Sequence, residues 1–241
     1  MSNNEFQALT DRWDGFLDKI KSRHNEVIEE AKGPMAEVIE GLEYDTIVIH
    51  NILNGIRHQS ATLLYKKCEE NWEKMQAELE KIGTSYDTIF KIRKKHENLR
   101  QWMEEDFERY SIKTFADAAR KIEQNVKKHI DENKIHNCVQ CGDQLPIKMY
   151  SFMAINLKCP SCGAVNTYEP DGHVRSMEYY VIGHLAEEYA MEEKIKGEKD
   201  KKLMADYFKK YYGFIIEKIP DKKEYTERIL NDKLNNPDFV G

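Results

Sequence analysis

Residues 81–85 read Lys81-Ile82-Gly83-Thr84-Ser85, a helix stop followed at once by a helix start. Glycine takes the left-handed backbone beyond a helix end at least cost, and threonine or serine is suited to cap the helix that follows. The same periodicity lies on both sides. Before the stop, apolar or aromatic residues recur at Leu64, Cys68, Trp72, Met75, Leu79 and Ile82. After it they recur at Tyr86, Ile89, Ile92, Leu99, Met103, Phe107 and Tyr110, with His96 in step, and continue through Phe115, Ala119, Ile122, Val126 and Ile130. Steps of three and four residues mark a helix with one buried stripe. Residues 35–82 and 85–134 are thereby expected to form two helical arms, each on the order of 70 Å long at about 1.5 Å per residue.

Arms of equal length joined by a short turn bury both stripes by folding back, which predicts a long antiparallel helical hairpin with a coiled-coil-like seam. Charge agrees with this pairing, because residues 1–83 carry 10 basic against 16 acidic side chains and residues 84–136 carry 12 against 10. The alternative is a rod continuous through Gly83 that pairs with a second copy, and the sequence leaves open whether the arms close within one chain or swap in a homodimer. Gly41 and Gly55 weaken the first arm, so a kink or break is expected near the apolar stretch 46–56. Upstream, Phe6, Leu9, Trp13, Phe16, Leu17, Ile20, Val27 and Ile28 mark an amphipathic helix over 5–31, which Gly33-Pro34 is expected to end. Trp13, Trp72 and Trp102 fall at seam-like positions, and Cys68 reads as a small core residue.

The second feature is a set of four cysteines, Cys138, Cys141, Cys159 and Cys162, spaced C-x₂-C-x₁₇-C-x₂-C with Gly142 and Gly163 after the pairs. Two intervening residues let a tight turn aim both thiolates at one ion, and the glycines let backbone amides approach the sulfurs. The start MSNNEFQALTDRWDGF is polar and acidic, without a basic region leading into an apolar core, so a reducing, cytoplasmic compartment is expected and the thiols are free for metal. One structural Zn²⁺ held by the four thiolates is therefore expected. Four sulfurs fill a tetrahedral ion's coordination and leave no position for substrate.

The knuckles Cys138-Val139-Gln140-Cys141-Gly142 and Cys159-Pro160-Ser161-Cys162-Gly163 resemble a zinc ribbon over residues 136–172, with its CxxCG and CPxCG forms. That resemblance implies a small β-module used as a docking surface. Short β-favouring runs at 147–152, 154–158 and 164–168 predict three strands. A helical hairpin followed by such a module is also similar in layout to the DksA/TraR family of RNA-polymerase secondary-channel factors, in which an acidic coiled-coil tip reaches toward the polymerase active site. Here the tip, residues 83–88, offers only Asp87, and the CPxCG knuckle and tyrosine-rich helices depart from that pattern.

Beyond the cysteines, a C-terminal helical subdomain is expected. Met177, Val181, His184, Leu185, Glu188 and Tyr189 hold one helical period, Leu203 to Ile219 a second, and Tyr225, Ile229, Leu230 and Leu234 a third. The run EEKIKGEKDKK between the first two reads as a solvated loop. Charged residues make up 33% of the chain and Gly and Pro number only 12 and 6, which favours long amphipathic helices. The apolar stretch 46–56 is too short to cross a bilayer, so no membrane contact is expected. No segment has the basic stripe of a nucleic-acid binder.

The sequence thus predicts a mostly α protein in three parts: a helical hairpin over 1–136, a zinc ribbon over 137–172 and a helical subdomain over 173–241. No nucleophile, acid and base can be paired, and no phosphate or dinucleotide motif is present, so an enzyme is not expected. His184 with Glu187 and Glu188 reads as a solvated face, and His50 and His58 as core histidines. The expected function is a zinc-binding helical scaffold with a protein partner of unknown identity. The rivals are a polymerase-binding transcription regulator and a thiol-based redox sensor.

Overall fold

The computed structural model describes residues 3–133, 136–147, 150, 152–197 and 200–235. It is mostly helical. Helix α1 spans Asn3–Glu40. Helix α2 (Ile47–Arg57) passes through a π-helical turn, His58–Thr62, into α3 (Leu63–Lys81), and α4 covers Tyr86–Asn133. Contacts group the chain into two compact units, one of residues up to Glu37 with His50–Ser111, the other of Val38–Ile49 with the residues from Ile112 onward.

In the first unit Gly83 has φ +73°, and its amide bonds to the Glu80 carbonyl at 2.9 Å while Thr84 bonds to Leu79 at 3.0 Å. These two bonds close the helix end around a left-handed glycine. Ser85 Oγ accepts the Thr88 amide at 3.4 Å and so caps α4. The arms fold back antiparallel: Arg100 lies over the Tyr65 ring at 4.5 Å, and one turn further along α3 Glu69 meets His96, one turn earlier along α4, at 3.0 Å. Helix α1 lies along both arms, with Arg12 donating to Glu78 and Lys95 to Asp14, each at 2.7 Å, and the Trp13 and Trp72 rings 5.5 Å apart. Trp13, Leu17, Ile20, Cys68, Trp72, Leu79, Ile92 and Met103 share the core.

The first arm and α1 differ from expectation. Pro34 lies inside α1, which ends at Glu40 and not at Gly33. Proline deprives the Glu30 carbonyl of its helical partner, but Val27 and Ile28 before it and Met35 after it are buried, so packing on both sides carries the helix past one missing bond. The break falls instead at residues 41–46, after Gly41, and Asp45 Oδ1 accepts the Ile47 amide at 3.0 Å where α2 begins. His50 and His58 are exposed. Among the described residues of this unit the buried histidines are His24 and His96. His24 bridges the Ser60 carbonyl in the π-helical turn at 2.9 Å and Asp106 at 3.0 Å.

In the second unit Ala119, Ile122 and Val126 of α4 form a core with Phe152, Val174, Met177, Val181, Ile182 and Ile219. Strands β1 (Ile155–Lys158) and β2 (Val165–Tyr168) pair antiparallel, with Ile155 opposite Tyr168 and Lys158 opposite Val165. Of the expected first strand, residues 148–149 and 151 lie outside the described residues, and the described ones form no strand. Tyr150 donates to Glu123 of α4 at 2.6 Å and Phe152 enters the helical core, so these two described residues anchor to the helices.

Helix α5 (Gly172–Met177) passes through a π-helical turn, Glu178–Ile182, into α6 (Gly183–Tyr189), followed by α7 (Met191–Gly197), α8 (Lys201–Lys218) and α9 (Lys223–Asn235). The charged run expected to be a loop, residues 192–202, has 198–199 outside the described residues and is helical over 192–197 as part of α7. Ile195 and Gly197 are its buried positions, and a Cβ on Gly197 would stand 2.9 Å from the Met204 backbone, so the glycine permits a close approach to α8. Among the described residues no helix is long and apolar enough to cross a membrane.

Candidate metal centre

The β1–β2 register places residues 159–164 as the turn of the hairpin, so the second knuckle is that turn. The first knuckle is framed in the same way by an isolated bridge between Asn137 and Gln144. Both use the same bonds. The amides of Cys138 and Cys159 reach the carbonyls of Asp143 and Ala164 at 2.7 and 2.8 Å, and the amides of Gly142 and Gly163 return to Cys138 and Cys159 at 2.9 and 3.0 Å. Each closure needs a positive φ, supplied by Gly142 at +78° and Gly163 at +76°.

This repeated turn aims four sulfurs at one point. The Sγ atoms of Cys138, Cys141, Cys159 and Cys162 all lie within 4.8 Å of one another, with Cys138 to Cys162 and Cys141 to Cys159 each at 3.6 Å. A disulfide would require about 2.05 Å, and all five cysteines of the chain are free thiols. An ion held tetrahedrally at about 2.3 Å from each sulfur separates the sulfurs by about 3.8 Å. The cluster fits that ion, and the four residues could hold one metal.

The electrostatics point the same way. The Cys141 amide above all, helped by the Gln140 amide and the Asn166 side chain, draws the Cys138 thiol down to about 6 against the effect of burial. The amides of Cys162 and Ser161 do the same for Cys159. Cys141 and Cys162 take amide bonds from Asp143 and Ala164, yet burial and the neighbouring sulfurs push both up. Four thiolates cannot ionise together at this spacing without a counter-charge, and a divalent cation is the counter-charge such a set accepts. Cys138 and Cys159 are buried while Cys141 and Cys162 are exposed, so one edge of the centre faces solvent.

Asn166 is part of the site and was not singled out by the motif. It is 4% exposed, its Oδ1 accepts the Val139 amide at 2.9 Å, and its Nδ2 reaches Cys138 Sγ at 3.5 Å and the Ala164 carbonyl at 3.1 Å. The signal available was its place on the inward face of Val165–Tyr168, where a buried polar residue needs partners.

The other flagged groups do not assemble. His184 stacks on Phe115 with ring centroids 4.6 Å apart, Glu187 takes Lys194 at 2.5 Å, and Glu188 pairs with Arg120. Cys68 is fully buried in the first core, where burial pushes its thiol up to about 11. Compared with protein-family models, curated proteins and solved structures, the chain matches none, so the reading of this centre rests on its four sulfurs and the turns that aim them.

Proposed function

We propose that the chain is a zinc-binding helical scaffold, in which Cys138, Cys141, Cys159 and Cys162 hold one structural Zn²⁺ and the ribbon around it presents a docking surface for a protein partner. The observation that carries this reading is the closed set of four sulfurs, which satisfies a tetrahedral ion and leaves it no open position for chemistry. The ion fixes a two-stranded hairpin too small to hold its shape alone. The first knuckle keeps Val139 at 91% exposure and strand β2 keeps Val165 at 69%. Two β-branched residues held out on a metal-clamped module suit recognition of another protein and not burial in this chain.

Affinity capture from native lysate tests the proposal by comparing the intact protein with a Val139→Asp, Val165→Asp variant that retains its zinc. A partner lost by the variant supports docking at the ribbon. A partner retained in full moves recognition to the helices.

The exposure of Cys141 and Cys162 favours a second reading, in which peroxide oxidises paired thiolates to disulfides, is itself reduced to water, and the ion is released. Zinc release that follows peroxide stoichiometrically supports it, and a centre inert to millimolar peroxide removes it.

A further inference from the structure

We propose that His129, Asp171 and His173 form a second metal site in this chain, open to water and suited to a zinc-like divalent cation. One donor atom from each of the three lies within 4.8 Å of the others. His129 comes from α4, whereas Asp171 and His173 come from the start of α5, so two separate elements converge on the point.

The carboxylate is held by its own helix. Asp171 Oδ1 accepts the amides of His173 at 2.9 Å and Val174 at 3.0 Å, which leaves Oδ2 to meet His129 Nε2 at 2.6 Å. The rings are held as well. Tyr44 lies with its centroid 4.0 Å from that of His173, and the two imidazole centroids are 4.6 Å apart. A helix cap supported by a histidine needs only the His129–Asp171 pair, and His173 adds a third donor at the same place.

Two imidazoles and one carboxylate select Zn²⁺, Co²⁺, Ni²⁺ or Fe²⁺ over Mg²⁺ and Ca²⁺, which prefer all-oxygen shells. Three protein ligands leave the remaining positions to water, unlike the thiolate centre. Binding replaces a hydrogen bond: the Nε2 proton of His129 passes to solvent, the ring binds as the neutral Nδ1–H tautomer, and the ion takes the freed Nε2 lone pair together with Asp171 Oδ2. The two atoms then open from 2.6 Å to about 3 Å, the separation of ligands at about 2.1 Å set at right angles. The Oδ1 bonds that cap α5 are untouched by this change. Access exists, because His129 also lines a cleft of about 410 Å³ with Glu40, Tyr44, Asn125, Lys128 and Glu132.

The test is a titration of Co²⁺ into protein whose thiolate centre already carries zinc, followed by calorimetry and visible absorption. One further equivalent is expected, with the weak bands of cobalt bound by nitrogen and oxygen and without the intense sulfur-to-cobalt band that exchange at the cysteines would produce. His173→Ala keeps the backbone amide that Asp171 accepts, so it should fold as the wild type does by circular dichroism and bind at least about a hundredfold more weakly. His129→Ala should show the same loss. No second equivalent up to millimolar cobalt, or undiminished binding by His173→Ala, would overturn the site, as would Mg²⁺ binding as tightly as Co²⁺. Failure of the zinc reading is told apart by the sulfur band, which reports the cysteines alone.

Discussion

Asn166 donates to Cys138 Sγ at 3.5 Å while its carbonyl oxygen accepts the Val139 amide at 2.9 Å, so one buried side chain from β2 orients a cysteine of the opposite knuckle. The same amide nitrogen reaches the Ala164 carbonyl, and the two knuckles are thereby tied together. Groups of this kind set the position and basicity of metal ligands.

Replacement of Asn166 by Ala should weaken zinc binding about ten- to hundredfold while leaving all four sulfurs in place. Competition with a chromophoric chelator measures it. An affinity equal to the wild type would show that the tie between knuckles has no bearing on the ion.

Gly83 occupies a left-handed position that a Cβ strains, so Gly83→Ala should cost about 1–2 kcal/mol in the first unit. The three tryptophans of the chain, Trp13, Trp72 and Trp102, all lie in that unit, so fluorescence-detected urea unfolding reads it locally. An unchanged midpoint would mean that the turn does not depend on φ +73°.

Two glycines of the C-terminal helices should respond with opposite signs. A Cβ on Gly197 would meet the Met204 backbone at 2.9 Å, whereas one on Gly213, inside α8, would meet nothing within 4 Å. Gly197→Ala should destabilise by about 1–3 kcal/mol through overpacking. Gly213→Ala should stabilise by about 0.5–1 kcal/mol through helix propensity. Thermal unfolding by circular dichroism distinguishes them, and shifts of the same sign would contradict the packing of α7 on α8.

Glu69 gives the first unit a dependence on acid. The Tyr65 hydroxyl above all, with His96 and Arg93 adding to it and burial opposing it, holds this carboxyl below the usual carboxylate range. A folded-state value below the unfolded one of about 4.3 stabilises at any higher pH, and that stability disappears as pH falls through the folded value. The fluorescence-detected midpoint should therefore drop below about pH 4.5 more steeply in the wild type than in Glu69→Gln. Parallel curves for the two would show that Glu69 has no part in it.

What the sequence made legible is what repeats. Three-and-four spacing located α4, Gly83 with Ser85 located the turn, and the two knuckles located the four clustered cysteines, because each of these is a local pattern with a local cause. Pro34 misled because a lost amide is visible in sequence, whereas the buried side chains on both sides that outweigh it are not. Helix α7 was hidden because, of its own seven residues, only Ile195 and Gly197 are buried. Residues 147–152 have strand-like composition, but Tyr150 bonds to Glu123 of α4 and Phe152 is buried in the helical core, contacts that composition does not report. Asn166 and the His129–Asp171–His173 cluster depend on elements far apart in sequence, which no spacing rule reports.

The most direct measurement is the zinc content of protein purified under reducing conditions and dialysed against a mild chelator that strips weakly held ions. One zinc per wild-type chain is expected, with none in a Cys138→Ser, Cys159→Ser variant and one in His173→Ala. A wild-type chain that emerges without metal, or with its four cysteines paired as disulfides, would contradict the closed thiolate centre on which the scaffold reading stands.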